Sequence, residues 1–147
     1  MKRMTKYVAL IAALALCFSL AAACKSQPKP IEEILKGIYD RYYNDLILDE
    51  AETYTVVAGD TLSAISRTKY DNGLCFPVIM LASKDVVLDP DKIEPDMELT
   101  IPNLQKNLDD PKARANIKKF LGEIAKVEDD RGRSEDAKGL RDLADSL

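Results

Sequence analysis

Between Thr53 and Pro102 the chain confines itself to one order of elements: two short β-type runs enclosing two short helical ones. Thr53-Tyr54-Thr55-Val56-Val57 is β-branched and aromatic with alternating faces, and Ala58-Gly59-Asp60 breaks it, which predicts a strand and a tight turn. A helix must start at that turn, because Asp60 or Thr61 can accept bonds from the free amides of a first helical turn. Leu62, Ile65, Ser66 and Lys69 then fall on one side, with Leu62 and Ile65 as its buried pair. Asp71-Asn72-Gly73 ends this helix. Phe76-Pro77 opens a second, with Phe76, Ile79, Met80 and Ala82 apolar, and Ser83-Lys84-Asp85 stops it. A loop punctuated by Asp89-Pro90 and Glu94-Pro95 leads to the alternating run Glu98-Leu99-Thr100-Ile101-Pro102. Two strands separated by a helix pair can lie antiparallel with both helices on one face, which makes the fold class α+β.

The pattern Tyr54-x-Val56-x-x-Gly59-Asp60-Thr61-Leu62-x-x-Ile65, then Ile79-x-x-Ala82, Asp89-Pro90-Asp91-x-Ile93-x-Pro95 and Leu99-x-Ile101-Pro102 resembles the LysM family across the whole of residues 53–102. The resemblance implies a βααβ module that binds N-acetylglucosamine-containing glycans, in bacteria chiefly peptidoglycan. It also implies that recognition uses two loops: Gly59, Asp60, Thr61 and Leu62 after the first strand, and Ser83, Lys84, Asp85 and Val86 after the second helix. Backbone groups there would pair with the acetamido group while Leu62 and Val86 meet its methyl and the sugar faces. Asp60 is equally readable as a purely structural cap and Leu62 as core. Three positions depart from the family pattern: Ser83 follows Ala82 where Asn is common, Phe76 stands where Trp is frequent, and Asp96 follows Pro95 where glycine is usual. Asp96 lacks glycine's freedom at positive φ, so a turn of different shape is expected there.

The ends of the chain frame this module. Lys2, Arg3 and Lys6 precede an apolar run from Val8 to Leu20 and the small residues Ala21-Ala22-Ala23, the pattern of an export signal over residues 1–23. The run is shorter than the ~20 residues of a spanning helix. Leu20-Ala21-Ala22-Ala23-Cys24 resembles a bacterial lipobox, with Ala21 where Leu is usual, and this implies cleavage before Cys24 and its lipidation, followed by a linker over 24–30. An ordinary secretory cleavage site is the competing expectation. Each buried methylene contributes about 0.8 kcal/mol, so two or three acyl chains would hold the protein firmly in a membrane. Cys17 leaves with the leader, and Cys75, without a partner, is expected as a small buried apolar group beside Phe76.

Ile31, Ile34, Leu35, Ile38 and Tyr42 recur at helical spacing, predicting an amphipathic helix over 31–48 with Glu32 and Glu33 in its first turn. Tyr39, Tyr42 and Tyr43 beside that stripe are expected to pack it rather than stack on sugars. After Pro102, Asp109-Asp110-Pro111 predicts a helix start, and Ala113, Ile117, Phe120, Leu121, Ile124 and Val127 form a stripe to about Glu128. Asp129-Asp130-Arg131-Gly132-Arg133 is a turn, and Ser134 opens a helix carrying Ala137, Leu140, Leu143, Ala144 and Leu147. Residues 109–147 thus form a helical hairpin. It should dock on its neighbours, since a ~50-residue module is near the lower limit for independent folding.

These features narrow the function classes. The whole chain carries a net charge of −4, and loss of the leader's three cations would leave 18 basic against 25 acidic residues, which makes nucleic acid an unsuitable partner. The sequence contains no histidine, which removes the commonest general base, the serine–histidine–acid triad and most zinc sites. Asp89, Asp91, Glu94, Asp96 and Glu98 alternate as in a calcium loop but lack the glycine that such loops turn on, so a solvated acidic loop is expected, with no metal, cofactor or catalytic residue. The expectation is a lipid-anchored, noncatalytic peptidoglycan-binding protein of the bacterial envelope, on the periplasmic side. The alternative is an envelope scaffold or hydrolase-recruiting protein whose module and helices bind a protein partner.

Overall fold

The computed structural model describes residues 29–147, so the leader, Cys24 and the start of the linker lie outside the described residues. Strand β1 (Glu52–Thr55) pairs antiparallel with β2 (Glu98–Ile101), Tyr54 opposite Leu99 and Glu52 opposite Ile101. Main-chain pairing runs on past β1: Val56 N–H donates to Met97 O, and Asp96 N–H to Val56 O, both at 2.9 Å. Leu99, Ile101 and Val56 are buried, so one face of this small sheet belongs to the core while Glu98 and Thr55 stay exposed.

The sequence order is recovered. Helix α2 (Leu62–Tyr70) buries Leu62, Ile65 and Ser66, and α3 (Phe76–Ala82) is buried at all seven positions. Between them Asp71 caps α2 in the left-handed region at φ 56°, and a 3-10 turn spans Gly73–Cys75. Cys75 is free and buried, beside Phe76 as expected, and burial pushes its thiol pKa up. The turn before β2 corrects one expectation, because Asp96 itself takes the left-handed conformation, φ 70°.

Among the described residues four further helices lie around this module: α1 (Ile31–Tyr42), α4 (Leu104–Asp109), α5 (Pro111–Asp130) and α6 (Ser134–Ser146). Helix α1 ends earlier than its apolar stripe predicts, passing through a 3-10 turn at Tyr43–Asp45. The cause is competition for backbone groups. Asn116 Nδ2 donates to Tyr42 O at 2.7 Å, and the carboxamide of buried Asn107 both accepts from Ile47 N–H and donates to Ile47 O at 2.8 Å. Helix α4, which carries Asn107, has no counterpart in the periodicity, although its Asn103 cap accepts from Lys106 N–H in the usual way.

At α5 the expected start is found, Asp110 Oδ1 accepting from the amides of Lys112 and Ala113 ahead of Pro111. The predicted stripe from Ala113 to Val127 is buried, and α5 and α6 pack along each other. Phe120, fully buried, meets the rings of Tyr39 and Tyr42 at centroid distances of 6.2 and 5.7 Å. Tyr39 donates to Val87 O at 3.0 Å, so α1 straps the loop after α3 to α5. The tyrosines therefore pack, as expected. Val56, Leu62, Leu99, Leu35, Phe120 and Leu140 all belong to one continuous core shared by module, α1 and hairpin.

Candidate functional site

A cleft of about 270 Å³ opens where the β1–α2 turn faces the loop before β2. Its first wall is Asp60, Thr61, Leu62 and Ser63. The hydrogen bonds that hold this wall are local. Gly59 supplies φ 92°, and Asp60 N–H donates to Val57 O at 3.1 Å. Asp60 Oδ2 accepts from Tyr54 O–H and from Val57 N–H, both at 2.9 Å. The hydrogen bond to Asp60 raises the Tyr54 phenol pKa. Thr61, not Asp60, is the helix cap, its Oγ1 accepting from Ala64 N–H at 3.1 Å. Leu62 is core, 3% exposed, and its edge still reaches the cleft with Leu74 and Phe76.

The opposite wall is Pro90, Asp91 and Ile93. Ser83, Lys84, Asp85 and Val86 are not among the residues that line the cleft. Ser83 is buried and stitches the end of α3 to β2, its Oγ accepting from Thr100 N–H at 2.9 Å. Lys84 lies 4.8 Å from the centroid of the Tyr43 ring and 2.7 Å from Asp85, turned toward α1. Asp85 and Val86 are exposed. The structure thus brings Asp60, Thr61 and Leu62 of the first predicted group to the cleft, leaves Gly59 in the adjoining turn, and directs Ser83 and Lys84 to other contacts.

What the sequence pattern did not anticipate is a third wall from the hairpin, made by Glu128, Arg133 and Asp136. Arg131 and Arg133 both pair with Asp91, Arg131 also reaches Asp89 at 3.3 Å, and Arg133 reaches Glu128 at 3.1 Å. Lys92 extends the network to Asp89 at 3.2 Å and to Glu32 of α1 at 3.4 Å. Burial alone would raise the Asp89 pKa, but the Asp91 amide, Lys92 and Arg131 outweigh it and hold the carboxyl below its ordinary value. Glu128 goes the other way: burial pushes its pKa up against the opposing pull of Arg133 and Arg131. Asp89 and Asp91 are therefore clamped by cations of this chain, while Glu94, Asp96 and Glu98 stay exposed, as expected of a solvated acidic loop. The available signal was the matching of an acidic loop to an Arg-x-Arg turn far along the chain.

The floor of the cleft is apolar, from Leu62, Leu74, Phe76 and Ile93, and its rim is polar, a composition suited to a sugar face edged by hydroxyls and amides. Residues 54–102 match the LysM domain family. A stretch of 52 residues is 46% identical to the potassium binding protein Kbp of Escherichia coli O6:H1 and covers 35% of this chain, spanning about a third (35%) of that protein's length. No solved structure matches the chain. Element order, antiparallel register and the family match agree: residues 54–102 are a LysM domain, built here into a larger helical body.

Proposed function

We propose that this chain is a noncatalytic glycan-binding protein of the bacterial envelope, whose LysM domain takes N-acetylglucosamine-containing strands of peptidoglycan. The observation that carries the reading is the family match at residues 54–102 together with an apolar-floored, polar-rimmed cleft beside Asp60–Ser63. Gly59 leaves open space at the turn, which suits close approach of a polymer, and Thr61 and Ser63 offer hydroxyls to sugar groups. Lipidation at Cys24 would tether the domain to a membrane on the periplasmic side and link membrane to wall. Tethering raises effective concentration, so a shallow, weak site suffices. The absence of histidine from the sequence agrees with binding without chemistry.

Sedimentation with insoluble peptidoglycan tests this directly. Protein lacking the first 24 residues should co-sediment with the wall and be released by soluble N-acetylglucosamine oligomers; protein left wholly in the supernatant would favour the scaffold that engages a protein partner. Mass analysis of the mature N-terminus checks acylation of Cys24. The name of the Escherichia coli relative raises a second reading, potassium binding. Here Asp89 and Asp91 already face Lys92, Arg131 and Arg133, which disfavours a cation at this loop. A melting temperature that rises in KCl but not in equimolar NaCl would reverse that judgement.

A further inference from the structure

The hairpin reaches the cleft with side chains whose bonding capacity is only partly used. Arg133 gives Nη1 to Glu128 and Nη2 to Asp91, while its Nε–H has no acceptor among the described residues. Both ion pairs fix the plane of a guanidinium whose position would otherwise be mobile. Asp136 stands exposed in the first turn of α6, on the rim of the same cleft, with no ion-pair or hydrogen-bond partner among the described residues. One oriented donor and one unengaged carboxylate thus border an apolar floor. The hairpin that carries them is seated tightly: a Cβ at Gly139 of α6 would lie 3.0 Å from Leu74 Cδ1, and Leu74 lines the cleft as well.

We propose that the glycan site is composite. The LysM domain supplies two walls, and the C-terminal hairpin completes the site with Arg133 and Asp136 as sugar-contacting, specificity-determining residues. Arg133 Nε–H donates to a ring or acetamido oxygen, and the Asp136 carboxylate accepts from sugar hydroxyls. Arg131 is a positioning residue, acting through Asp89 and Asp91 to hold the Pro90–Ile93 wall at its distance from Thr61. The proposal rests on the glycan reading above and adds to it that residues beyond 102 determine affinity.

The test is calorimetric titration of an N-acetylglucosamine pentamer into protein lacking the first 24 residues, with melting temperatures measured in parallel. Asp136→Ala touches an exposed, unpaired side chain and should keep the wild-type melting temperature while weakening binding at least five-fold. Arg133→Ala should weaken binding by a similar factor or more, and Arg133→Lys, which retains charge but not the fork, should recover only part of it. Wild-type affinity in both Asp136→Ala and Arg133→Ala, or tighter binding than wild type, would overturn the composite site and leave the glycan reading standing. Failure of the wild-type protein itself to bind either the pentamer or insoluble peptidoglycan would overturn the glycan reading and the composite site together.

Discussion

The two principal walls of the cleft are held by different means. The Asp60–Ser63 wall is fixed by bonds spanning no more than six residues, Tyr54 to Asp60 and Thr61 to Ala64 among them. The Pro90–Ile93 wall depends on arginines some forty residues away and on a lysine that reaches back to α1. One wall belongs to the module. The other belongs to the whole protein, so its placement depends on how the flanking helices dock, and a change in the hairpin can reshape the site without altering any residue of the LysM domain.

The strongest way to break this contrast is Phe120→Ala, which empties a fully buried aromatic position beneath both Tyr39 and Tyr42. Loss of about 3–5 kcal/mol in chemical denaturation is expected, with the hydrogen-bonded amides of Asp91 and Lys92 losing exchange protection before those of 57–64. Equal loss in both segments would erase the distinction. Arg131→Ala is more selective: it leaves the nearly buried Asp89 carboxylate short of a partner, with an expected cost of about 2 kcal/mol, and amide exchange should rise at Asp91 and Lys92, which both donate to Asp89, while Ala64 stays protected. Thr61→Ala probes the other side, where removing a helix cap should cost about 1 kcal/mol and leave the Asp91 and Lys92 amides unchanged.

The smallest effect is in pH. Asp89 has its folded pKa lowered, so its contribution is complete above the unfolded value and drains away as pH falls toward the folded one. Glu128, with its folded pKa raised, favours the fold most when protonated and returns part of that loss on acidification. Urea midpoints should therefore fall through the carboxylate range, and fall less steeply in Asp89→Asn; parallel curves would show that the clamp contributes nothing to acid sensitivity.

Legibility in the sequence followed the same division. Strand, turn, cap and helix from Thr53 to Ala82 could be read because each signal acts within a few residues, as Gly59 and Thr61 do. The hairpin's start and stripe were readable for the same reason, from Asp110, Pro111 and the spacing of Ile117, Phe120, Leu121 and Ile124. The early end of α1 was hidden because its apolar pattern continues to Leu46 and Leu48, while the decision is made by Asn107 and Asn116, some sixty to seventy residues on. Helix α4 is too short for periodicity to register, six residues announced only by Asn103. The placement of Ser83 and Lys84 away from the cleft follows from tertiary partners, Thr100 and Tyr43, that no local rule names.

Cys75 lies where the module meets the hairpin, in an apolar gap of about 180 Å³ that it shares with Val78 on one side and Ile117, Leu121 and Leu143 on the other. Once the first 24 residues are gone it is the chain's sole thiol. The molecule thereby carries its own clock: a small sulfhydryl reagent meets this largely covered thiol slowly while the seam is closed and faster when it parts, so its labelling rate tracks separations of the two halves, and glycan gripped by both should slow it.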